Sequence, residues 1–177
     1  MIRLQRITTA DKTLYDYMER LMSASFPPEE YRMPEEQRKY TDTKTEFHNN
    51  IVLQDNNPIG FITYWDFRQF YYVEHFAISS EQRNGGHGKH VLNHLCRQLK
   101  RPIVLEVEIP KEEMAQRRIR FYQRNGFVLW ERAYLQPPYK SGDCYLPMFL
   151  MVHGDILCED SFDIIKECIY REVYNIK

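Results

Sequence analysis

The segment Phe76-Ala77-Ile78-Ser79-Ser80-Glu81-Gln82-Arg83-Asn84-Gly85-Gly86-His87-Gly88-Lys89 passes from strand-like residues through a glycine-rich turn into a helical pattern. That order builds an anion site. The first N–H groups of a helix lack intrahelical partners and carry the positive end of its dipole. Glycines let a diphosphate approach the backbone closely. Two phosphate motifs are excluded. A Walker A loop has Gly where Arg83 stands and Ser or Thr where His90 stands. A Rossmann fingerprint on Gly86-His87-Gly88 has Gly or Ala where Val91 stands. What is left is the string Arg83-x-x-Gly86-x-Gly88.

His87, His90 and His94 are a second constellation. At about 100° per residue they fall within a ~60° arc of one helix. Such a set has the residue types for zinc or nickel. No carboxylate or thiolate stands beside it in the sequence, and the arc lies opposite Leu92, Leu95 and Leu99. No metal site is therefore expected, and His87 is assigned to the phosphate turn.

These residues need elements to position them. A strand is expected over 2–7. Leu14, Tyr17, Met18 and Leu21 then mark a helix face, with Thr8 and Asp11 in capping-box spacing before it and Pro27-Pro28 stopping it. Pro34-Glu35-Glu36 reads as a second helix start. Strands over 47–54, 59–67 and 70–79 form an antiparallel meander around the turn Asp55-Asn56-Asn57-Pro58. Val91, Leu92, Leu95, Cys96 and Leu99 give the next helix its apolar face, and a strand follows over 103–109. A helix over 114–125 closes at Gly126, which tolerates positive φ. Two last strands, 127–131 and 145–152, flank a Pro-Pro-Tyr loop. Phe162, Ile165, Ile169, Val173 and Ile176 mark a tail helix, read as packing on its own domain, with a homodimer contact as the alternative. The fold class expected is α/β (α+β): a three-layer α/β/α domain on a mixed, mostly antiparallel sheet, plus a C-terminal helix.

The chain has 177 residues, 43% apolar and 28% charged, which suits one globular domain over 1–177. The core is placed at about 1–152 and the helical extension at 155–177. The formal net charge is −1, which argues against a nucleic-acid partner. Its distribution is uneven: residues 82–124 carry ten basic and four acidic residues. That positive block coincides with the glycine turn. No apolar run approaches the ~20 residues that span a bilayer, no apolar stretch follows the basic residues near Met1, and the four cysteines form no C-x-x-C pair. No membrane partner is expected, and a cytoplasmic location with reduced thiols is.

A second motif joins the first. Phe121-Tyr122-Gln123-Arg124-Asn125-Gly126-Phe127 ends the helix that follows the next strand. Together with Arg83-x-x-Gly86-x-Gly88 and the element order, it resembles the GNAT superfamily of acyl-CoA-dependent N-acyltransferases over about residues 1–152. Ala115 and Arg118 stand where many members carry Asn and Ala.

The resemblance implies an N-acetyltransferase that moves an acetyl group from acetyl-CoA to a primary amine of a small molecule or peptide. The amine attacks the thioester directly in a ternary complex, and no metal takes part. Backbone groups near Phe76, Ala77 and Ile78 would hold the pantetheine arm. N–H groups of Arg83, Asn84, Gly85, Gly86, His87, Gly88 and Lys89 would hold the pyrophosphate. Tyr122 matches the tyrosine facing the CoA sulfur and would donate a proton. Glu74 matches a position where members place a carboxylate near the amine. By alternation Glu74 shares a face with Tyr72 and Phe76, and an acid among aromatics has a raised pKa, which suits a base. Glu106 and Glu108 compete for that role, as does a water-mediated base. The loop Phe26 to Tyr31 would line the acceptor site, with Glu29 and Glu30 attracting a cation. Trp65, Phe67, Tyr71, Tyr72 and Tyr139 are candidate aromatic walls. A non-catalytic acyl-CoA-binding sensor or interaction module is the rival reading.

Overall fold

The computed structural model describes residues 1–83 and 85–176. The elements follow the order β1 (Ile2–Arg6), α1 (Lys12–Ser25), α2 (Pro34–Thr43), β2 (Phe47–Gln54), β3 (Asn57–Asp66), β4 (Tyr71–Ile78), α3 (His87–Gln98), β5 (Ile103–Glu108), α4 (Glu113–Arg124), β6 (Val128–Gln136), β7 (Leu146–His153) and α5 (Cys158–Glu172). Short 3-10 turns at Pro28–Glu30 and Ser80–Gln82 lead into α2 and α3.

One seven-stranded sheet has the order β1-β2-β3-β4-β5-β7-β6. Every neighbouring pair is antiparallel except β4 and β5. The β2–β3 hairpin turns at Asp55 and Asn56, both at positive φ (49° and 67°), a conformation that short polar side chains tolerate. Helices cover both faces. On one, Val91, Leu92 and Leu95 of α3 and Ile119 and Tyr122 of α4 pack on Val52, Ile62, Val73 and Leu105. On the other, α1 buries Tyr15, Met18 and Met22 against Ile51 and Phe61. Leu14, Tyr17 and Leu21 flank that stripe rather than centre it. Tyr40 of α2 and Phe162, Ile165 and Ile169 of α5 cover Phe47, Trp65 and Tyr72 on that same face. The tail helix thus packs on its own sheet.

β6 continues to Gln136, well past the expected end at Glu131. Its pairing with β7 slips between Trp130 and Tyr134. The slip breaks the alternation that marks a strand in sequence. All four cysteines are free; Cys144 is exposed and the other three are partly buried. Among the described residues, no helix is long and apolar enough to cross a membrane.

Candidate active site

The parallel strands β4 and β5 pair only from Tyr71–Ile103 to Val73–Leu105. Beyond Val73 they part, and the edge of β4 that faces β5 loses its ladder. The gap is a cavity of about 530 Å³. Phe76, Ala77 and Ile78 line it from β4, Glu106 and Glu108 from β5, and Phe121 and Tyr122 from α4. Ser25, Phe26 and Glu30 close one side. A strand pair that splays leaves backbone donors and acceptors without partners, and such groups suit an extended amide-bearing ligand.

The glycine turn borders the same space through Arg83 and Gly88. Gly86 caps α3 at φ 72°, a left-handed conformation that favours glycine. A Cβ on Gly88 would stand 3.2 Å from Phe121 Cζ, so glycine lets α3 and α4 approach each other beside the cavity. Arg83 is tied by its Nε to the Ile78 carbonyl at 3.2 Å. Arg117 and Arg118 of α4 add positive charge to the rim, and Arg118 also pairs with Glu108 at 2.9 Å. Lys89 is exposed, and Asn84 lies outside the described residues. Gly85 and His87 face a different hollow of about 490 Å³, shared with His90 and His94. Among the described residues, no group of three or more His, Cys, Asp or Glu is arranged to hold a metal ion.

Tyr122 is buried, and burial pushes its phenol up to about 12, with Arg118 opposing. It stacks edge-on against Phe121 and Phe127. It is a neutral donor at the cavity wall across the physiological range.

Glu74 departs from expectation. The β3–β4 register pairs Thr63 with His75 and Tyr64 with Val73, so Glu74 is the extra residue of a bulge. The bulge breaks the alternation. Tyr72 and Glu74 point to the α5 side, whereas Phe76 packs on the α3 side. Arg32, from the loop before α2, donates to both carboxylate oxygens of Glu74. Trp65 Nε1 donates at 3.1 Å and the Tyr139 hydroxyl at 2.9 Å. Burial alone would raise this carboxyl. Arg32, His75 and the hydrogen bonds overcome that and hold it below the usual carboxylate range. The expected raised pKa is thus reversed: Glu74 is the anionic half of a buried ion pair. Arg32 is held in turn among aromatic faces, 4.7 Å from the Tyr40 ring centroid and 5.3 Å from that of Tyr139.

Glu106 has the opposite surroundings. It is partly buried, no cation pairs with it among the described residues, and desolvation pushes its carboxyl up to about 7. Hydrogen bonds from Tyr134, Tyr174 and Gln136 temper the rise. Tyr134 donates to Oε1. Gln136 Nε2 donates to Oε2 at 2.7 Å and the Tyr174 hydroxyl does so at 2.8 Å. A carboxyl that titrates near neutrality at the wall of a cavity has the profile of a general base.

Of the residues expected to line the acceptor side, Phe26, Glu30 and Tyr139 do so. Burial, aided by the Glu108 charge, raises the Glu30 carboxyl. Glu29 stays outside the cavity. Trp65, Phe67 and Tyr72 are core residues instead, and Tyr71 lies under the Arg101 guanidinium at 4.1 Å. Arg32, Tyr134, Gln136 and Tyr174 were not singled out from sequence. Arg32 stands between Pro27-Pro28 and Pro34, and its burial to 2% exposure is visible only in the fold.

Comparison with known proteins fits this geometry. The model of the GNAT acetyltransferase family matches residues 12–127. The structure is similar to a protein assigned to the GNAT acetyltransferases from Bacteroides thetaiotaomicron, with 60% identity, 99% of each chain covered and a TM-score of 0.97. Arabidopsis thaliana Naa50, solved with the bisubstrate analogue CoA-Ac-MVNAL, shares the fold at 18% identity, covering 86% of this chain and 98% of its own (TM-score 0.62). So does a GNAT acetyltransferase from Elizabethkingia anophelis solved with acetyl-CoA, at 15% identity, 86% and 97% coverage and a TM-score of 0.56. No curated protein sequence matches the chain.

Proposed function

The chain belongs to the GNAT family of acetyltransferases, and from that premise we propose that it transfers an acetyl group from acetyl-CoA to a primary amine, with Glu106 as the base. The observation that carries this reading is the splayed β4–β5 gap, which brings a near-neutral carboxyl and a neutral phenol to the wall of one cavity. The whole chain, α5 included, acts as one catalytic domain in this reading.

The donor contributes an activated thioester and a thiol leaving group. Arg83, the first N–H groups of α3 and the arginines of α4 supply positive charge and donors for its phosphates. Gly88 supplies clearance, and the open edge of β4 at Phe76 to Ile78 supplies backbone partners for its amides. An aliphatic ammonium has pKa near ~10, so the acceptor must lose a proton before it attacks. The Glu106 carboxylate takes that proton, directly or through one water. Its proton affinity near neutrality keeps a large fraction ionised at physiological pH while leaving it basic enough to act. Glu30 stands at the acceptor end, where its carboxylate favours a cationic amine.

Tyr122 acts at the sulfur. A phenol near 12 is a weaker acid than a thiol, whose ordinary pKa is about 8.5. Full transfer of its proton is therefore uphill. The hydroxyl serves by donating a hydrogen bond to sulfur as negative charge develops there.

Glu74 is a structural anion in this scheme. With Arg32 it fixes the Pro-rich loop against β4, and through Tyr139 it orders the acceptor wall.

The test is direct. The protein is mixed with acetyl-CoA and a panel of polyamines, amino sugars and N-terminal peptides, and free CoA is measured. Release of CoA with one class of amine is the expected result. Tight acetyl-CoA binding without turnover on any amine would instead mark an acyl-CoA-binding module.

A further inference from the structure

The C-terminal helix lies outside the residues matched by the family model, yet the turn that ends it reaches the cavity wall. Tyr174 is 7% exposed, and its hydroxyl meets Glu106 Oε2 at 2.8 Å across 68 residues of chain. We propose that Tyr174 is a positioning residue for acetyl transfer: its hydroxyl holds the Glu106 carboxylate in one orientation and keeps it ready to accept a proton at neutral pH. This rests on the reading of Glu106 as the base.

The hydrogen-bond directions follow from counting protons. A tyrosine hydroxyl has one to give. Gln136 Nε2 donates to the Tyr174 oxygen at 2.9 Å, so that oxygen is already an acceptor. Three acceptors compete for the Tyr174 proton: Glu106 Oε2 at 2.8 Å, and the Tyr139 and Tyr72 hydroxyls, each at 3.4 Å. The carboxylate is the shortest contact and the only ion among them, and charge-assisted bonds are the stronger. Tyr139 gives its own proton to Glu74. The two carboxylates are thus served by separate donors.

The geometry is fixed from behind. Asn175 turns the chain at φ 56°, and its Nδ2 donates to the Tyr40 hydroxyl at 2.8 Å. The Ile176 N–H bonds back to the Tyr170 carbonyl at 2.9 Å. The Tyr174 ring packs on Tyr139 with centroids 4.9 Å apart. Helix α5 is anchored by Phe162, Ile165 and Ile169. A hydroxyl held this firmly loses little freedom in making its bond, which is the requirement for orienting another group.

The groups set against Glu106 are Tyr72 from β4, Tyr134 and Gln136 from β6, Tyr139 from the loop after it, Tyr170 of α5, and Tyr174. All are uncharged at neutral pH, and the Arg32 cation is spent on Glu74. Donors alone therefore stabilise the Glu106 anion against burial. Removing one shifts its titration upward.

The experiment uses the full chain with carboxyl-carbon-13 glutamate, the Glu106 signal being assigned by its loss in Glu106→Gln. In Tyr174→Phe, which keeps the ring, the Glu106 titration moves up by about one pH unit. The acid limb of kcat/KM moves with it, so activity well below the limb falls about tenfold and returns at high pH. The KM for acetyl-CoA stays at the wild-type value. Placing 3,5-difluorotyrosine at position 174, a stronger donor of nearly the same shape, moves both titrations down. A merely structural tyrosine would not produce opposite shifts. Coincident Glu106 titrations in the three proteins overturn the proposal, whatever the kinetics. A moved titration with a fixed kinetic limb overturns the positioning role. An acid limb that survives in Glu106→Gln sinks the base assignment itself, and is read separately.

Discussion

Glu74 and Glu106 stand on the neighbouring strands β4 and β5 and line one cavity, yet their carboxyls are driven in opposite directions. Burial raises both. Arg32 reverses the effect at Glu74, whereas only uncharged donors meet Glu106. In the proposed scheme the pair separates two tasks, one carboxylate for architecture and one for proton transfer.

That separation has an inverted stability signature. The Glu106 carboxyl lies near 7 in the fold against an ordinary value of 4.5. Below 4.5 both folded and unfolded chains hold the proton. Between 4.5 and 7 only the folded chain holds it, so stability falls as pH rises, and above 7 the full cost is present. The shift corresponds to about 3 kcal/mol. Glu106→Gln is therefore expected to raise the Tm at pH 8 and to change it little at pH 4.5. Thermal unfolding at the two pH values checks this.

Glu74 behaves in the ordinary sense. Its folded pKa is depressed, so its contribution is present above the unfolded carboxylate range and is lost as pH falls through the folded value. Glu74→Gln strands a buried guanidinium, which costs about 3–5 kcal/mol. Denaturant unfolding at pH 7 measures the loss. With Glu106 as the proposed base, the variant that remains folded is expected to keep the acid limb of its pH–rate profile.

Tyr122→Phe removes only the hydroxyl. Loss of the hydrogen bond to the departing sulfur is expected to lower kcat by about 10–1000-fold, with acetyl-CoA affinity nearly unchanged. Steady-state kinetics beside a calorimetric CoA titration separates the two. Unchanged kcat removes Tyr122 from the chemistry.

The glycine turn gives a binding defect instead. Gly88→Val crowds Phe121, which a Cβ already meets at 3.2 Å, and intrudes on the cavity. Gly86→Asp adds a negative charge to the anion site and strains a φ of 72° by about 1–2 kcal/mol. Both are expected to abolish CoA binding while far-ultraviolet circular dichroism keeps the wild-type shape.

Local chemistry was legible in the sequence. The meander, the glycine turn and the helix closed by Gly126 (φ 86°) declare themselves by alternation, by turn residues and by spacing. Features that depend on distant partners were not. No periodicity marks the bulge at Glu74, which sends Phe76 to the opposite face from Tyr72. Arg32 meets Glu74 across 42 residues, and Tyr134 and Tyr174 meet Glu106 across 28 and 68. Glu106 and Glu74 both stand on the strands that flank the gap, and strand position alone does not rank them. The ranking came from which carboxylate the fold supplies with a cation. The positive block over 82–124 also sharpens, since Arg83, Arg117 and Arg118 are its members that reach the cavity.

The most direct measurement is the pH dependence of kcat/KM for acetyl transfer in the wild type and in Glu106→Gln. The wild type should lose activity as pH falls through about 7, following the Glu106 carboxyl. In Glu106→Gln that limb should vanish, with a rate about 10²–10⁴-fold lower and unchanged CoA binding. A limb near neutrality that persists in Glu106→Gln, or wild-type turnover in that variant, would contradict the assignment of Glu106 as the base.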